Sequence, residues 1–472
     1  MHPRHALAFT VVSLLFAIDA RADFLRALER YRAGDYEHAR EEFSELAALG
    51  DGSSQYNLGV MWIQGQGGPK DNGSGVGWLA AATENGYVGL PPDRLKAMQA
   101  KLSPEEKKAA DDTVASYGRA AMEAHVLPLK DAFQMGCGER SKPKFKARRL
   151  EYAQGLKQKG SNGVAILTIT VAPDGTVHDP EVVMTVPEKG VAAVAVQSVI
   201  SFTFEPITID GQPATVRGHF NFKYVMDGTS GVWNVESLKK MRANADLGVP
   251  ENQFFMGLAG LIDPLPGFSS EDAASMLLKA AQGGQPKAQR LVAERLRTSE
   301  KCAEQEKGKW ERWLRASVRG GDNIARVQLA SAMLEREPLT PGDLSESQSL
   351  LVTAAESTEP YAVKHALALL AASPIDAVRN PALALKRAEF LRQEETVSDP
   401  VSHEVIAAAN AASGQFDLAV VSQKRALEKA QRLRWDTALI SERLARYQNN
   451  QTWTGDLFAL PTRSASSQAE VR

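Results

Sequence analysis

The sequence predicts an α+β chain that is mainly α-helical, with arrays of paired helices flanking a small β-hairpin, helix and strand unit. Three observations predict it. Apolar residues between Phe24 and Leu46 recur at i, i+3 and i+4, which is helix spacing. From Met276 onward the sequence matches itself at a shift of 37 residues, the mark of a stacked helical array. Between Gly163 and Met226, β-branched residues crowd together and the apolar period falls to two, which is strand sequence.

In chain order, residues 1–22 come first. Arg4 is followed by the 13-residue, mostly apolar run Ala6 to Ile18, and Ala20-Arg21-Ala22 gives the small-x-small pattern before Asp23. This reads as a secretory signal peptide cleaved after Ala22. The run is well short of the roughly 20 residues of a spanning helix. Residues 23–125 then read as helical repeats. A stripe through Phe24, Ala27, Leu28, Tyr31, Ala39 and Phe43 is broken at Gly34-Asp35-Tyr36. Next come Tyr56, Leu58-Gly59, Trp62, Gly65, Gly67, Asp71, Trp78-Leu79, Ala82 and Gly86. Those spacings resemble the Sel-one-like repeat, a relative of the tetratricopeptide repeat. The resemblance implies that Leu58-Gly59 lets two helices approach and that Trp78 and Ala82 pack the second on the first.

The middle unit, placed within residues 126–228, starts with Val164 to Val171, bounded by Gly163 and the turn Pro173-Asp174-Gly175. Val177 to Thr185 returns as the second hairpin strand. Val191 to Ile200 is Ala-rich and long enough for a helix that covers one face of the hairpin. Phe202-Thr203-Phe204-Glu205-Pro206 ends it, and Asp210-Gly211-Gln212-Pro213 makes a second turn. Val216 to Val225 follows, with aromatics at 220, 222 and 224 alternating with polar residues, a strand with one face buried.

This order of features resembles the C-terminal domain of TonB, the periplasmic adaptor that grips outer-membrane transporters. The features are Gly163-Val164, Asp174-Gly175, the helix, Phe204 with Pro206, Gly211 with Pro213, and the last strand. Phe145-Lys146 departs from the family's second Pro, and Phe202 replaces a common Trp. The resemblance implies partner binding along the last strand edge, through Val216, Arg217, His219, Phe220, Asn221, Phe222, Lys223, Tyr224 and Val225. That edge is either open to a guest strand or covered by a neighbouring repeat. The resemblance also implies a Gram-negative bacterium and a periplasmic location, with envelope proteins such as outer-membrane transporters as partners. The alternative is a TonB-type energy transducer of outer-membrane transport, anchored in the inner membrane by a retained signal segment. Against it, the 23 prolines are scattered and form no extended spacer.

Residues 229–440 read as a degenerate helical repeat array. At the 37-residue shift Met276-Leu277 falls on Trp313-Leu314 and Leu350-Leu351, and Ala280-Ala281 on Ser317-Val318 and Ala354-Ala355. Ala288 falls on Ala325 and Ala362, and Leu296 on Met333 and Leu370. Ala412 to Ala419 with Arg425-Ala426-Leu427 resembles the middle of a tetratricopeptide repeat. Residues 441–472, polar at Asn449-Asn450-Gln451 and Ser-rich at the end, read as a frayed tail.

Formal net charge is −2, with 55 Lys and Arg against 57 Asp and Glu, so the composition gives no basis for nucleic-acid binding. A basic cluster, Lys142, Lys144, Lys146, Arg148, Arg149, Lys157 and Lys159, precedes the middle unit and reads as a solvated face. The two cysteines, Cys137 and Cys302, either pair or remain separate thiols. His38, His125, His178, His219, His365 and His403 stand at no metal-ligand spacing, and Gly65-Gln66-Gly67-Gly68 sits at a repeat turn. The expectation is a binding protein rather than an enzyme, with no cofactor, no metal and no small-molecule substrate; its oligomeric state is open.

Overall fold

The computed structural model describes residues 23–128, 144–147, 163–186, 191–224, 235–262, 265, 268–299, 304–393 and 399–460. The signal-peptide reading and both cysteines lie outside those residues.

The N-terminal repeats are α1 (Phe24–Arg32), α2 (Tyr36–Ala47), α3 (Gly52–Gln64), α4 (Asn72–Glu84), α5 (Pro92–Gln99), α6 (Pro104–Tyr117) and α7 (Arg119–His125). Aspartates start several of them: Asp51 accepts from the Ser54 amide and Asp71 from the Ser74 amide, satisfying donors that a helix leaves free. Helices α3 and α4 cross at Gly59. A Cβ there would lie 2.8 Å from the Gly75 carbonyl oxygen and 2.9 Å from Leu79 Cγ, so only glycine permits the approach.

The C-terminal array consists of α9 (Val235–Asp246), α10 (Pro250–Ile262), α11 (Ser270–Gln282), α12 (Pro286–Ser299), α13 (Lys309–Arg319), α14 (Asn323–Leu334), α15 (Pro341–Glu356), α16 (Pro360–Ala372), α17 (Pro381–Gln393), α18 (Pro400–Ala412), α19 (Phe416–Leu433) and α20 (Ala438–Gln448). The α3–α4 crossing recurs here. A Cβ on Gly257 of α10 would lie 2.6 Å from the Leu277 amide nitrogen and 2.8 Å from the Ala273 carbonyl oxygen of α11. The positions matched by the 37-residue shift are core: Leu277, Leu314 and Leu351 are buried, as are Ala288, Ala325 and Ala362, and Leu296, Met333 and Leu370. A second repeat feature is polar. Gln55, Gln253 and Gln289, all buried, each donate through Nε2 to the carbonyl eight residues earlier, of Ala47, Ala245 and Ala281, and so cap the preceding helix.

The middle unit is a three-stranded antiparallel sheet in the order β3-β2-β7, from β2 (Gly163–Val171), β3 (Val177–Val186) and β7 (Val216–Tyr224). Its short companions are β1 (Phe145–Ala147) with β4 (Thr203–Phe204), and β5 (Thr208–Ile209) with β6 (Gln212–Pro213). Gly175 closes the β2–β3 turn at φ +88°, and a Cβ there would sit 2.0 Å from the Phe204 carbonyl oxygen. That oxygen's own residue donates its amide back to Gly175. Helix α8 (Ala192–Val199) covers one face of the sheet through Ala195, Val196 and Val199 against Leu167, Ile169 and Phe222. The other face lies on the C-terminal array, where Ile166 and Val183 join Leu291, Val292 and Leu296 in one core.

The two arrays share that same core, which also takes in Leu49, Met122, Val126 and Leu127. Polar bonds reinforce the join. The buried Lys309 ammonium donates to the Glu123 and Leu127 carbonyls at the end of α7 and pairs with Glu306, and Trp313 Nε1 donates to the Val126 carbonyl.

Residues 441–460 are no tail. Arg443 and Tyr447 of α20 are fully buried, and Gly455 donates its amide to the Ala372 carbonyl. Leu457 is buried and Phe458 stacks on His365 at 3.9 Å. The polar run at 449–451 is a turn between apolar anchors, which local composition does not reveal. Residues 461–472 lie outside the described residues.

Candidate partner-binding edge and the polar seam behind it

The strand nominated as a binding edge is the edge of its sheet. β7 pairs with β2 along its length, from Tyr224 opposite Gly163 to Val216 opposite Val171, and among the described residues no second strand lies on its other side.

The nominated side chains divide by strand parity. Val216, Phe220 and Phe222 face α8, and Phe220 meets Phe202 and Phe204 edge-on at 5.7 and 6.3 Å. These three pack the strand onto its own domain, with Phe222 buried and Val216 and Phe220 half-buried. Arg217 and His219 point the other way; His219 shares a 3.1 Å hydrogen bond with Thr168 on β2. The side chains of Asn221, Lys223 and Tyr224, and all of Val225, lie outside the described residues. Of the basic cluster, Lys144 pairs with Glu205 at 3.7 Å on the surface.

Arg217 belongs to a polar seam between sheet and array. One Nη donates to Glu181 Oε2 and to Tyr361 Oη, both at 2.9 Å, and the other reaches Asp179 and Thr170 at 3.3 Å. Asp179 is at φ +45°, next to Pro180 in β3. There its carboxylate accepts from the Tyr361 hydroxyl at 2.6 Å, Lys364 Nζ at 3.0 Å and His365 Nε2 at 2.9 Å. Burial alone would raise the Asp179 carboxyl; His365, Lys364 and Arg217 beside it hold it well below the usual carboxylate range. Lys364 also pairs with Asp399 at 3.1 Å. Deeper in, Arg290 of α12 bridges three carboxylates, Glu181 at 2.7 Å and Glu294 and Asp322 at 2.9 Å. Both Arg290 and Glu181 are fully buried.

Sequence reasoning missed this seam. Its one local signal is His178-Asp179-Pro180-Glu181, a polar run inside an apolar strand; the partners on α12, α14 and α16 are more than a hundred residues away. Chemically the seam locks parts together, since nearly every charge in it is paired with another.

The geometry defines a small sheet unit clamped into helical repeats, with β3 and β7 as its two outer strands. Residues 148–226 match the model of the family described as Gram-negative bacterial TonB protein C-terminal, so the chain carries a TonB C-terminal domain, set between arrays of paired helices. That family is periplasmic. No curated protein sequence matches the chain. Among solved structures it is similar to a protective antigen present in uropathogenic Escherichia coli strains, which displays an SLR fold. Identity is 15%, over 93% of this chain and 88% of that one, with a TM-score of 0.29. At that score the likeness carries no weight, and the repeat reading stands on the helix pairs themselves. No helix among the described residues is long and apolar enough to cross a membrane.

Proposed function

We propose that this chain is a periplasmic protein-interaction scaffold, exported by cleavage after Ala22, that takes an extended segment of an envelope partner along the outer edge of β7. The observation that carries the reading is the position of β7 in the domain. α8 covers one face of the sheet and the array packs on the other at β2 and β3, while β7 is an outer strand on which Arg217 and His219 remain exposed. A guest strand satisfies the unpaired N–H and C=O groups of such an edge, and its side chains set specificity. The partners in this reading are envelope proteins such as outer-membrane transporters, and the chain acts by binding, without a reaction of its own.

The test places a photo-crosslinking amino acid at Gly218, where an added Cβ meets nothing within 4 Å, and a control at the exposed Val88. In periplasmic extract, capture at 218 and not at 88 is expected. Hydrogen exchange on the purified complex then follows the β7 amides, which gain protection when a strand is added. A captured partner that leaves β7 exchange unchanged overturns the reading.

A further inference from the structure

Between the TonB C-terminal domain and the array lies a cavity of about 190 Å³. It exceeds the roughly 150 Å³ engineered apolar cavity that takes up benzene. One wall is apolar: Pro180 and Val182 of β3, Val196 of α8, and Ile324 and Pro360 of the array. Polar groups line the rest, namely Glu359, Tyr361, Lys364 and Asp399.

Three of those four polar groups are already satisfied: the Tyr361 hydroxyl donates to Asp179 at 2.6 Å and accepts from Arg217 at 2.9 Å. The Lys364 ammonium is divided between Asp179 and Asp399, and the other Asp399 oxygen accepts from the Ser402 amide at 2.7 Å and its hydroxyl at 3.1 Å. Glu359 differs. It occupies the N-cap position of α16 without making a cap bond, and its carboxylate has no hydrogen bond or ion pair among the described residues. The nearby Lys287 ammonium is turned to the Val183 carbonyl at 3.1 Å. Burial holds the Glu359 carboxyl above its usual range and Asp322 adds to that effect, while Lys287 and Arg290 act against it. The lining thus carries two carboxylates and one ammonium beside an apolar wall, and of the two carboxylates Glu359 is the one without a bonded partner among the described residues.

We propose that this cavity binds an alkylammonium group, its charged end on Glu359 and its hydrocarbon body against Val182, Val196 and Ile324. The group is carried either by a small free amine or by a lysine side chain of a partner. The volume admits a chain of about five or six heavy atoms. Because the lining comes from both units, an occupant also bridges the domain and the array.

Isothermal titration of the full mature chain tests this with n-butylammonium, its neutral isostere n-butanol, and capped Ala-Lys-Ala and Ala-Leu-Ala peptides. The cation is expected to bind at least tenfold more tightly than the alcohol. Tighter binding of the free amine than of the lysine peptide identifies a small-molecule site, and the reverse order identifies a lysine-receiving site. Glu359→Gln should weaken either by tenfold or more, and Val196→Phe, which fills the cavity, should abolish it. Unchanged exchange of the β3 amides in both variants verifies that the domain remains docked. Equal binding of amine and alcohol, no binding by either cationic probe, or full affinity in both folded variants overturns the proposal.

Discussion

Asp179→Ala should release the TonB C-terminal domain from the array without unfolding the array. The carboxylate is the common acceptor for Tyr361, Lys364, His365 and Arg217, and its side chain is only 13% exposed. Removing one partner of a buried ion pair costs about 3–5 kcal/mol, because the other charge is left without compensation. Two facts place this case at the low end: Lys364, 3% exposed, keeps Asp399, and Arg217 keeps Glu181. The expected loss is therefore about 3 kcal/mol, which at 1.36 kcal/mol per decade is roughly a 150-fold rise in the population of the undocked form. Because opening is local, hydrogen exchange is the assay rather than a global melt. Amides of β3 and β2 should exchange faster by about that factor, while those of α3 and α4, which share no group with the seam, keep wild-type protection. Unchanged exchange across Val177–Val186 would refute the claim that the seam holds the domain in place.

Three further outcomes follow from the same geometry. His178 is 8% exposed, its ring lies tilted against Trp435 at 3.8 Å, and burial pushes its pKa down to about 4. Its folded value lies below the unfolded value of about 6.5, so its contribution is full above that pH and declines as pH falls from 6.5 towards 4, by up to about 3 kcal/mol. Asp179, also depressed, continues the loss in the same direction below the ordinary carboxylate range; urea midpoints from pH 7 to 4 should show the slope, and His178→Gln should flatten its upper part. Arg290→Met leaves the buried Glu181 and Asp322 and the half-buried Glu294 without their shared cation, a loss of about 3–5 kcal/mol in denaturant unfolding that adding Glu181→Gln should partly restore. Gly59→Ala and Gly257→Ala force a Cβ into the facing helix and should each destabilise by about 1–3 kcal/mol, while Gly218→Ala, with open space around it, stays within about 0.5 kcal/mol in thermal unfolding.

What the sequence made legible is what neighbouring residues decide. The Asp174-Gly175 turn, the alternation through Phe220 and Phe222 and the 37-residue spacing of Leu277, Leu314 and Leu351 are local patterns, and each has its structural counterpart. The polar seam was not legible, because Asp179 and His365 are 186 residues apart and neither occupies a marked position in a motif. The same cause hid the join between the arrays: Lys309 and Trp313 look like ordinary helix residues until their side chains reach the end of α7. The end of the chain was misread because Trp453, Leu457 and Phe458 are spaced to suit no regular element. They pack from a stretch that is neither helix nor strand, for which there is no period to detect.

Arg217 gives the edge and the seam a mechanical connection. It lies on the strand proposed to receive a partner, yet its guanidinium bonds across the sheet to Glu181 and on to Tyr361 of the array. Side chains on a strand alternate with period two, so any slip of β7 by one residue moves Arg217 to the α8 face and breaks those bonds. Guest-strand addition that keeps the register is thus compatible with the docked domain, whereas addition that shifts the register has to unlock it. Arg217→Ala separates the two cases. If partner binding leaves the register intact, the variant should bind with near wild-type affinity while its β7 exchanges faster. If binding requires the slip, the variant should bind more tightly than wild type, because the bonds that opposed the slip are already gone.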